Sequence, residues 1–402
     1  MAAFTFPSVR AAARARGWIT PFTFLALATA TNQMSFASWQ TLVNNFAKDF
    51  GATGYDIGVQ QSIREIPGLL AFTAVFALLI MREQTLACVS LFTLGVGVAL
   101  TGFFPTVSGL YFTTFLMSVG FHYYETVNQS LSLQWFDKTS APERLGRIMS
   151  LSAIAQCGAY LAILIVGRLG GVAYSTAFLV FGLISIVAAG ALTLLFPSFP
   201  QHTPQNKGLV LRKRYWLYYA LNFTGGARRQ IFIVFAAWLM VDRFGYKPHD
   251  VAALFLVNYL FNFFAAPAIG RFILRFGERA AMLFENASLV LVFVAYAFVE
   301  SASVAAALYV IDNAFFALSI AQKTYFQKIA DPADMAPTAG VAFTINHIAA
   351  VFLPAALGYL WLTSPSLVFF CGAGFAAAAF CLSALAPRHP TADRPTIFAR
   401  AA

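Results

Sequence analysis

Residues 116–147, LMSVGFHYYETVNQSLSLQWFDKTSAPERLGR, begin as an apolar helix of the kind that crosses a bilayer, yet carry His122, Glu125, Asn128 and Gln129 in the middle. The apolar phase ends at Trp135-Phe136, and a basic loop follows. The same layout returns later: Trp135-Phe136-x-Lys138-x-x-x-Pro142 is matched by Tyr325-Phe326-x-Lys328-x-x-x-Pro332, at a constant offset of 190. In that register His122 falls on Asp312, Tyr123 on Asn313 and Gln156 on Asn346. A second echo sets Phe50-Gly51 and Asp56-Ile57 against Phe244-Gly245 and Asp250-Val251, at an offset of 194. Two halves repeat each other in parallel, and their polar positions partly coincide. Membrane transporters are built this way.

The bulk composition supports that reading. Of 402 residues, 59% are hydrophobic and only 10% charged, too little charge to cover a soluble domain of this size. A helix needs about 20 apolar residues to cross the bilayer core, and runs of that length recur along the chain. They lack strict alternation, so they choose helices over a closed barrel. The net charge of +10 is scattered through short loops, which points to topology determinants rather than to nucleic acid. Cys88, Cys157, Cys371 and Cys381 all sit in apolar runs without CxxC or His pairing, the pattern of small core residues rather than of a disulfide framework or a metal site.

The hydrophobic runs predict an all-α membrane protein of twelve transmembrane helices in two pseudo-symmetric six-helix halves. The spans fall at roughly 20–47, 56–80, 85–104, 107–135, 146–168, 172–196, 215–242, 249–273, 280–300, 303–328, 336–362 and 364–386. Arg10, Arg14 and Arg16 before the first run resemble a signal peptide, but the run extends to about Phe46, too far for a secretory core of about 7–15 residues. It reads as a first helix that stays attached. PSFPQHTPQNKGLVLRKR, residues 197–214, is the longest polar interruption and reads as a linker between an N-terminal half, 1–196, and a C-terminal half, 215–402. Lys and Arg concentrate on one side of this layout, which places both termini and the central loop in the cytoplasm of a cell whose inner membrane holds the protein.

Six plus six spans, a long central loop and parallel half-repeats resemble the major facilitator superfamily. The loop after the eighth span, Gly270-Arg271-x-x-x-Arg275-Phe276-Gly277-Glu278-Arg279, is similar to that family's loop signature of a glycine followed by Arg-x-Gly and Arg. Its counterpart after the second span, Met81-Arg82-Glu83, is short and lacks the glycines, and Ala155-Gln156-Cys157-Gly158-Ala159 stands where drug antiporters carry a glycine-proline signature. The resemblance implies that spans 1, 4, 7 and 10 line a central cavity.

Polar residues concentrate in those four spans. An ionisable group at membrane depth is costly and usually faces a cavity or a partner. The first span offers Asn32, Ser35 and Trp39 at a three-then-four step, hence on one helical face. The fourth offers His122, Glu125 and Gln129 at the same step, next to Tyr123. His122 and Glu125 are candidates for proton coupling, or else a hydrogen-bonded pair that fixes packing. Gly225-Gly226-Ala227-Arg228-Arg229-Gln230 sits halfway along the seventh span, where the glycines loosen the helix. An arginine there offers a planar fork for a carboxylate or phosphate, unless it pairs with Glu125 or Asp312. Successive residues lie about 100° apart on a helix, so one of Arg228 and Arg229 is expected to face the cavity. Arg64-Glu65 in the second span either pairs with neighbours or gates the outer mouth, and Arg64 is a further candidate to attract an anionic group. Asn258 and Asn262, one turn apart in the eighth span, read a polar substrate or glue helices together. Glu285 and Asn286 are read as loop partners for Arg275 or Arg279. Asp312, Ser319 and Lys323 share a face of the tenth span, with Lys323 snorkelling at its end and Asp312 deep enough to carry a proton. Asn313 and, in the eleventh span, Asn346 complete the candidate substrate contacts.

These readings converge on a secondary active transporter that moves a small organic anion by alternating access, coupled to protons. Substrate contacts are assigned to Asn32, Trp39, Arg64, Tyr123, Arg228, Arg229, Asn258, Asn262, Asn313 and Asn346, and proton coupling to His122, Glu125 and Asp312. No cofactor, metal or nucleic-acid partner is implied, and a monomer in the bilayer suffices. No GxxxxGK[ST], HExxH or GxSxG motif occurs, so neither ATP-driven transport nor an enzyme is indicated. The alternatives are an efflux pump for amphipathic drugs, with Trp39, Tyr123 and Tyr124 lining an aromatic cavity, and a non-transporting receptor or scaffold of the same fold.

Overall fold

Backbone groups inside lipid must be satisfied within their own segment, which for long apolar runs means helix. The computed structural model describes residues 17–136, 141–200, 211–331 and 335–399, and among them there is no strand. Arg10, Arg14, Arg16, Lys138, Pro332 and most of the central linker lie outside the described residues. In chain order the helices are α1 (Pro21–Asp49), α2 (Gly54–Leu69), α3 (Ala74–Ala77), α4 (Glu83–Thr101), α5 (Val107–Trp135), α6 (Ala141–Arg168), α7 (Tyr174–Leu195), α8 (Trp216–Ile231), α9 (Ala237–Asp242), α10 (Pro248–Phe276), α11 (Glu278–Ala297), α12 (Ala302–Phe316), α13 (Ile320–Ile329), α14 (Met335–Thr363) and α15 (Pro365–Ala384).

Their ends follow from local chemistry. Thr20 Oγ1 accepts from Thr23 N at 3.1 Å, with Pro21 opening α1, and Thr106 Oγ1 caps α5 through Gly109 N at 3.1 Å. Before α2, Thr53 N donates to Asp56 Oδ2 at 2.8 Å while Thr53 Oγ1 accepts from Asp56 N at 3.3 Å, a reciprocal capping box. Gly51 and Gly245, paired in the second sequence echo, both adopt left-handed backbone, φ 85° and 67°. That conformation costs a glycine nothing extra and turns the chain after α1 and α9.

Three expected spans are not single helices. The second breaks after Leu69, continuing as a 3₁₀ turn, Ala71–Thr73, and the short α3. Pro67-Gly68 explains the break, since proline removes a backbone donor and clashes with the preceding turn. The seventh is interrupted by a π turn, Phe232–Ala236, and the tenth by a 3₁₀ turn, Ala317–Ser319. Among the described residues seven stretches are long and apolar enough to cross a membrane: Glu83–Thr101, Arg144–Arg168, Tyr174–Leu195, Glu278–Ala297, Ala302–Ile329, Val341–Thr363 and Pro365–Ala384. The chain is therefore a multi-pass membrane protein, but five of the twelve expected spans fall short of that standard. Three of those five include the 29-residue helices α1, α5 and α10, each about 43 Å long at 1.5 Å per residue. Length is not what they lack; their polar residues dilute the apolar average.

The described chain forms two compact units. One comprises the residues up to Gly51, those from Ile63 to the linker, and Pro248–Ala253; the other comprises Ala52–Ser62, the residues from the linker to Lys247, and those from Leu254 onward. In the first unit, a Cβ at Gly120 would run into Leu94 N, and one at Gly182 would lie 2.5 Å from Gly95 O. Helices α4, α5 and α7 thus touch backbone to backbone, the close approach that small residues allow in membranes. In the second unit Tyr215, Tyr218, Tyr325, Phe326 and Ile329 form a buried cluster, with Phe326 stacked on Tyr218 at 4.1 Å.

The [Trp/Tyr]-Phe repeat acquires a mechanical meaning here. In the first unit, Trp135 Nε1 donates to Pro200 O at 3.1 Å, in the segment that follows α7. Gln84 grips the same segment twice, donating to Pro197 O and accepting from Phe199 N, both at 2.9 Å. In the second unit, Tyr325 OH donates to Pro395 O at 2.6 Å, in the segment that follows α15. Arg214 Nη2 holds that segment at Ala392 O, 3.0 Å, and Ile397 N donates to Leu385 O at 2.9 Å. Each unit is strapped by the chain leaving its last full-length span, and each strap is tied to the repeated aromatic.

Candidate functional site

Polar side chains gather in two clusters, one in each unit. In the first, α1 and α5 meet at a carboxylate. Asn32 Nδ2 and Gln33 Nε2 each donate to Glu125 Oε1 at 3.2 Å. One turn away Thr29 Oγ1 bonds Tyr124 OH at 2.7 Å and donates to Asn128 Oδ1 at 3.3 Å. Asn32 is fully buried, and its Oδ1 has no hydrogen-bond partner among the described residues. The donors that hold Glu125 are therefore neutral amides.

The expected faces are only partly realised. His122 is buried, Glu125 half-buried and Gln129 exposed, so the three do not share one environment. Asn32, Ser35 and Trp39 are all fully buried, and Ser35 Oγ pairs with Ser185 Oγ at 2.6 Å, which shows that this stripe packs against α7. Arg64 is buried with its Nη2 2.5 Å and its Nε 3.1 Å from Glu65 Oε1, and its guanidinium lies 5.6 Å from the Phe36 ring. It pairs locally. Tyr123 OH bonds Thr73 Oγ1 at 2.6 Å.

The second cluster surrounds a cavity of about 340 Å³ in the second unit. Arg228, on α8, is 4% exposed and places Nη2 3.0 Å from Glu285 Oε1 on α11, itself 4% exposed. Arg228 Nε and Nη1 are buried and have no hydrogen-bond partner among the described residues. Asp312, on α12, is likewise buried, with Oδ2 unpartnered among the described residues, and is electrostatically coupled to both Arg228 and Glu285. Arg229, one residue on, is exposed, and its guanidinium lies 4.4 Å from the centre of the Phe316 ring. The two arginines therefore divide as a helical step of about 100° requires: one joins the buried ion pair, the other is exposed, and both line the cavity.

The glycine pair does not unwind the helix, because α8 runs unbroken through it to Ile231. A Cβ on Gly226 would overlap Asn346 Oδ1, whereas the nearest atom to one on Gly225 is 3.8 Å away. Gly226 is there so that the Asn346 amide can rest against the backbone of α8. The assignment of Glu285 to Arg275 or Arg279 is also corrected, since Glu285 binds Arg228 across 57 residues of chain.

Of the expected substrate contacts, the cavity gathers Arg228, Arg229 and Asn346. Asn258, Asn262 and Asn313 belong to the second unit but are not among its lining residues, and Oδ1 of both Asn258 and Asn262 is buried without a hydrogen-bond partner among the described residues. Asp312 and Lys323 do not share a face, because the 3₁₀ turn intervenes and leaves the first buried and the second exposed. The sequence reading missed Asn222, Gln322 and the lining role of Lys323. Helical steps of three and four link Asn222 with Gly225, Gly226 and Arg229, and Ser319 with Gln322 and Lys323. That periodicity was the available signal.

A sequence profile described as Major Facilitator Superfamily matches residues 22–354. No curated protein sequence matches the chain. Among solved structures, a single-site mutant of the nucleoside transporter NupG is similar with a TM-score of 0.74 at 15% identity, covering 90% of this chain and 99% of its own. A bacterial homolog of the human lysosomal transporter Spinster, in an inward-facing and occupied conformation, gives 0.69 at 14% identity, covering 92% and 96%. A POT family transporter in complex with 5-aminolevulinic acid gives 0.69 at 11% identity, covering 90% and 94%. At these identities the likeness concerns the fold.

Proposed function

The chain belongs to the major facilitator superfamily of membrane transporters, and from that premise we propose that it moves a small organic anion by alternating access, coupled to protons. The observation that carries this reading is Arg228, buried beside the cavity with Nε and Nη1 unpartnered among the described residues. An arginine does not shed its proton, and a buried guanidinium with idle donors is costly. A carboxylate entering the cavity would complete the fork, with Arg229 and Asn346 as further contacts. Drug efflux is the second reading; against it stand the arginine, lysine and amide side chains that line the cavity beside Phe316 and Phe343.

Proton coupling is assigned to two carboxyls with different surroundings. Asp312 lies within the electrostatic field of Arg228 and Glu285, so a proton on it changes how strongly Arg228 is held. Glu125, near His122, is held by neutral amides and changes charge without stranding a counter-ion. In this reading twelve spans, 1–196 and 215–402 about the central loop, lie in the inner membrane with both termini cytoplasmic, and one chain suffices.

The test is uptake of labelled acetate, butyrate, benzoate and succinate into proteoliposomes. Replacing both partners, Arg228→Gln with Glu285→Gln, removes the fork without leaving a lone buried charge. Uptake by this variant should fall to the level of empty liposomes for every anion the native protein carries. Anion flux equal to that of the native protein would overturn the reading.

A further inference from the structure

Resting on the anion-site reading, we infer that the anion is a hydroxylated carboxylic acid, whose hydroxyl groups donate to the amide oxygens of Asn222 and Asn286. Both side chains line the cavity together with Arg228. Both turn their nitrogen to a backbone carbonyl one helical turn back. On α8, Asn222 Nδ2 donates to Tyr218 O at 2.8 Å. On α11, Asn286 Nδ2 donates to Met282 O at 2.8 Å and to Ser383 Oγ at 3.3 Å, so both of its amide hydrogens are used. Ser383 Oγ gives its own hydrogen to Ala379 O at 2.7 Å, which leaves it the accepting role toward Asn286. A backbone carbonyl only accepts, and so it fixes which end of each amide faces it. On Asn286 the oxygen is what remains to offer, and no described residue donates to it. On Asn222 the oxygen is the end turned away from Tyr218 O.

Acceptors of this kind ask for a donor on the ligand. A carboxylate has none, so it engages the Arg228 fork and leaves both oxygens unanswered. An alkyl group beside them would displace water and return no hydrogen bond, which costs affinity. Small acids commonly carry one of two donor groups, hydroxyl or ammonium, and electrostatics chooses between them. An ammonium taken out of water needs a counter-charge. Among the lining residues the carboxylate is Glu285, which already holds Arg228 at 3.0 Å. A hydroxyl is neutral and matches a neutral amide oxygen without one. A cavity of about 340 Å³ lies at the low end of small-molecule sites, about 300–1,000 Å³, which suits an acid of a few carbons. Asn222 and Asn286 thus become specificity residues: they select among acids that the Arg228 fork binds alike.

Titration of the purified full-length protein with glycerate, propionate, alanine and glycerol tests this, with binding read by calorimetry. The first three share a three-carbon carboxylate and differ in carrying hydroxyls, no donor or an ammonium; glycerol keeps the hydroxyls without the carboxylate. Glycerate should bind at least about ten-fold more tightly than propionate, because a site built for a hydroxyl penalises its absence. Alanine and glycerol should bind no more tightly than propionate. In Asn222→Leu and in Asn286→Leu the ratio of glycerate to propionate affinity should shrink by at least about three-fold. Glycerate and propionate within two-fold of each other in the native protein, or a ratio unchanged in both variants, would overturn hydroxyl recognition and leave the anion site standing. Alanine as tight as glycerate would overturn the choice of hydroxyl over ammonium. Glycerol as tight as glycerate, or binding of none of the four, would overturn the inference together with the anion reading beneath it.

Discussion

Glu125 and Glu285 are both carboxylates set among apolar helices, yet they are held by different means. Glu125 accepts from two neutral amides, Asn32 and Gln33, in helices that run unbroken for 29 residues. Glu285 meets a guanidinium, and Asp312 lies within its field; two helical paths of that unit are interrupted by a π turn at Phe232–Ala236 and a 3₁₀ turn at Ala317–Ser319. Irregular turns inside helices mark places where the backbone yields, often at functional sites. The contrast separates two tasks. A carboxyl among neutral donors can gain or lose a proton with little rearrangement, while a fixed cation keeps its charge and waits for an anion. The first unit suits coupling alone, whereas the second suits recognition, with Asp312 as a further coupling carboxyl beside it.

The sharpest way to break this contrast is to remove one partner of the ion pair. Arg228→Ala leaves Glu285 buried and alone, which should cost about 3–5 kcal/mol, whereas Glu125→Gln keeps an acceptor for its amides and should cost less than about 1 kcal/mol. Chemical denaturation in detergent measures both, and equal losses would erase the distinction. Gly226→Ala comes next. Its Cβ would collide with Asn346 Oδ1, so a loss of about 1–3 kcal/mol is expected, recovered in Gly226→Ala with Asn346→Ala. Gly225→Ala, with open space around it, should be neutral or slightly stabilising in the same denaturation series. The smallest effects belong to the straps: Tyr325→Phe removes one hydrogen bond to Pro395 O, for about 0.5–1.5 kcal/mol. Trp135→Phe should cost at least as much, because it also loses ring area against Phe199 and Phe24. Hydrogen exchange should show faster opening of residues 386–399 in the first variant and of 196–200 in the second.

Those straps explain why part of the chain was legible from its sequence. The repeat at an offset of 190 is conspicuous because Trp135 and Tyr325 perform the same mechanical task, tying a proline carbonyl at the end of each unit. Gly51 and Gly245 are conspicuous for a similar reason, since both need left-handed backbone. Helical class and family followed from run length and the loop signature. The site was harder to read. Arg228 was visible as an anomaly in an apolar run, but its partner was not, because Glu285 stands near a helix start where loop arginines offer equally good contacts. Lys323 looked like a snorkelling terminal lysine, whereas it lines the cavity from the helix that follows the turn at Ala317–Ser319. The π turn at Phe232–Ala236 contains neither proline nor glycine, so nothing local announced it. The break after Leu69 was announced by Pro67-Gly68 and was overridden by counting apolar residues.

The division of labour is tested most directly by two fluxes measured on the same proteoliposomes: exchange of labelled anion at equilibrium, and concentrative uptake driven by a pH gradient, using the organic acid that binds most tightly. In Glu125→Gln, exchange should persist within about three-fold of the native rate while gradient-driven accumulation disappears. In Arg228→Gln with Glu285→Gln, both should vanish. Accumulation that survives in Glu125→Gln, or exchange that survives in the double variant, would contradict the assignment of coupling to Glu125 and of recognition to Arg228.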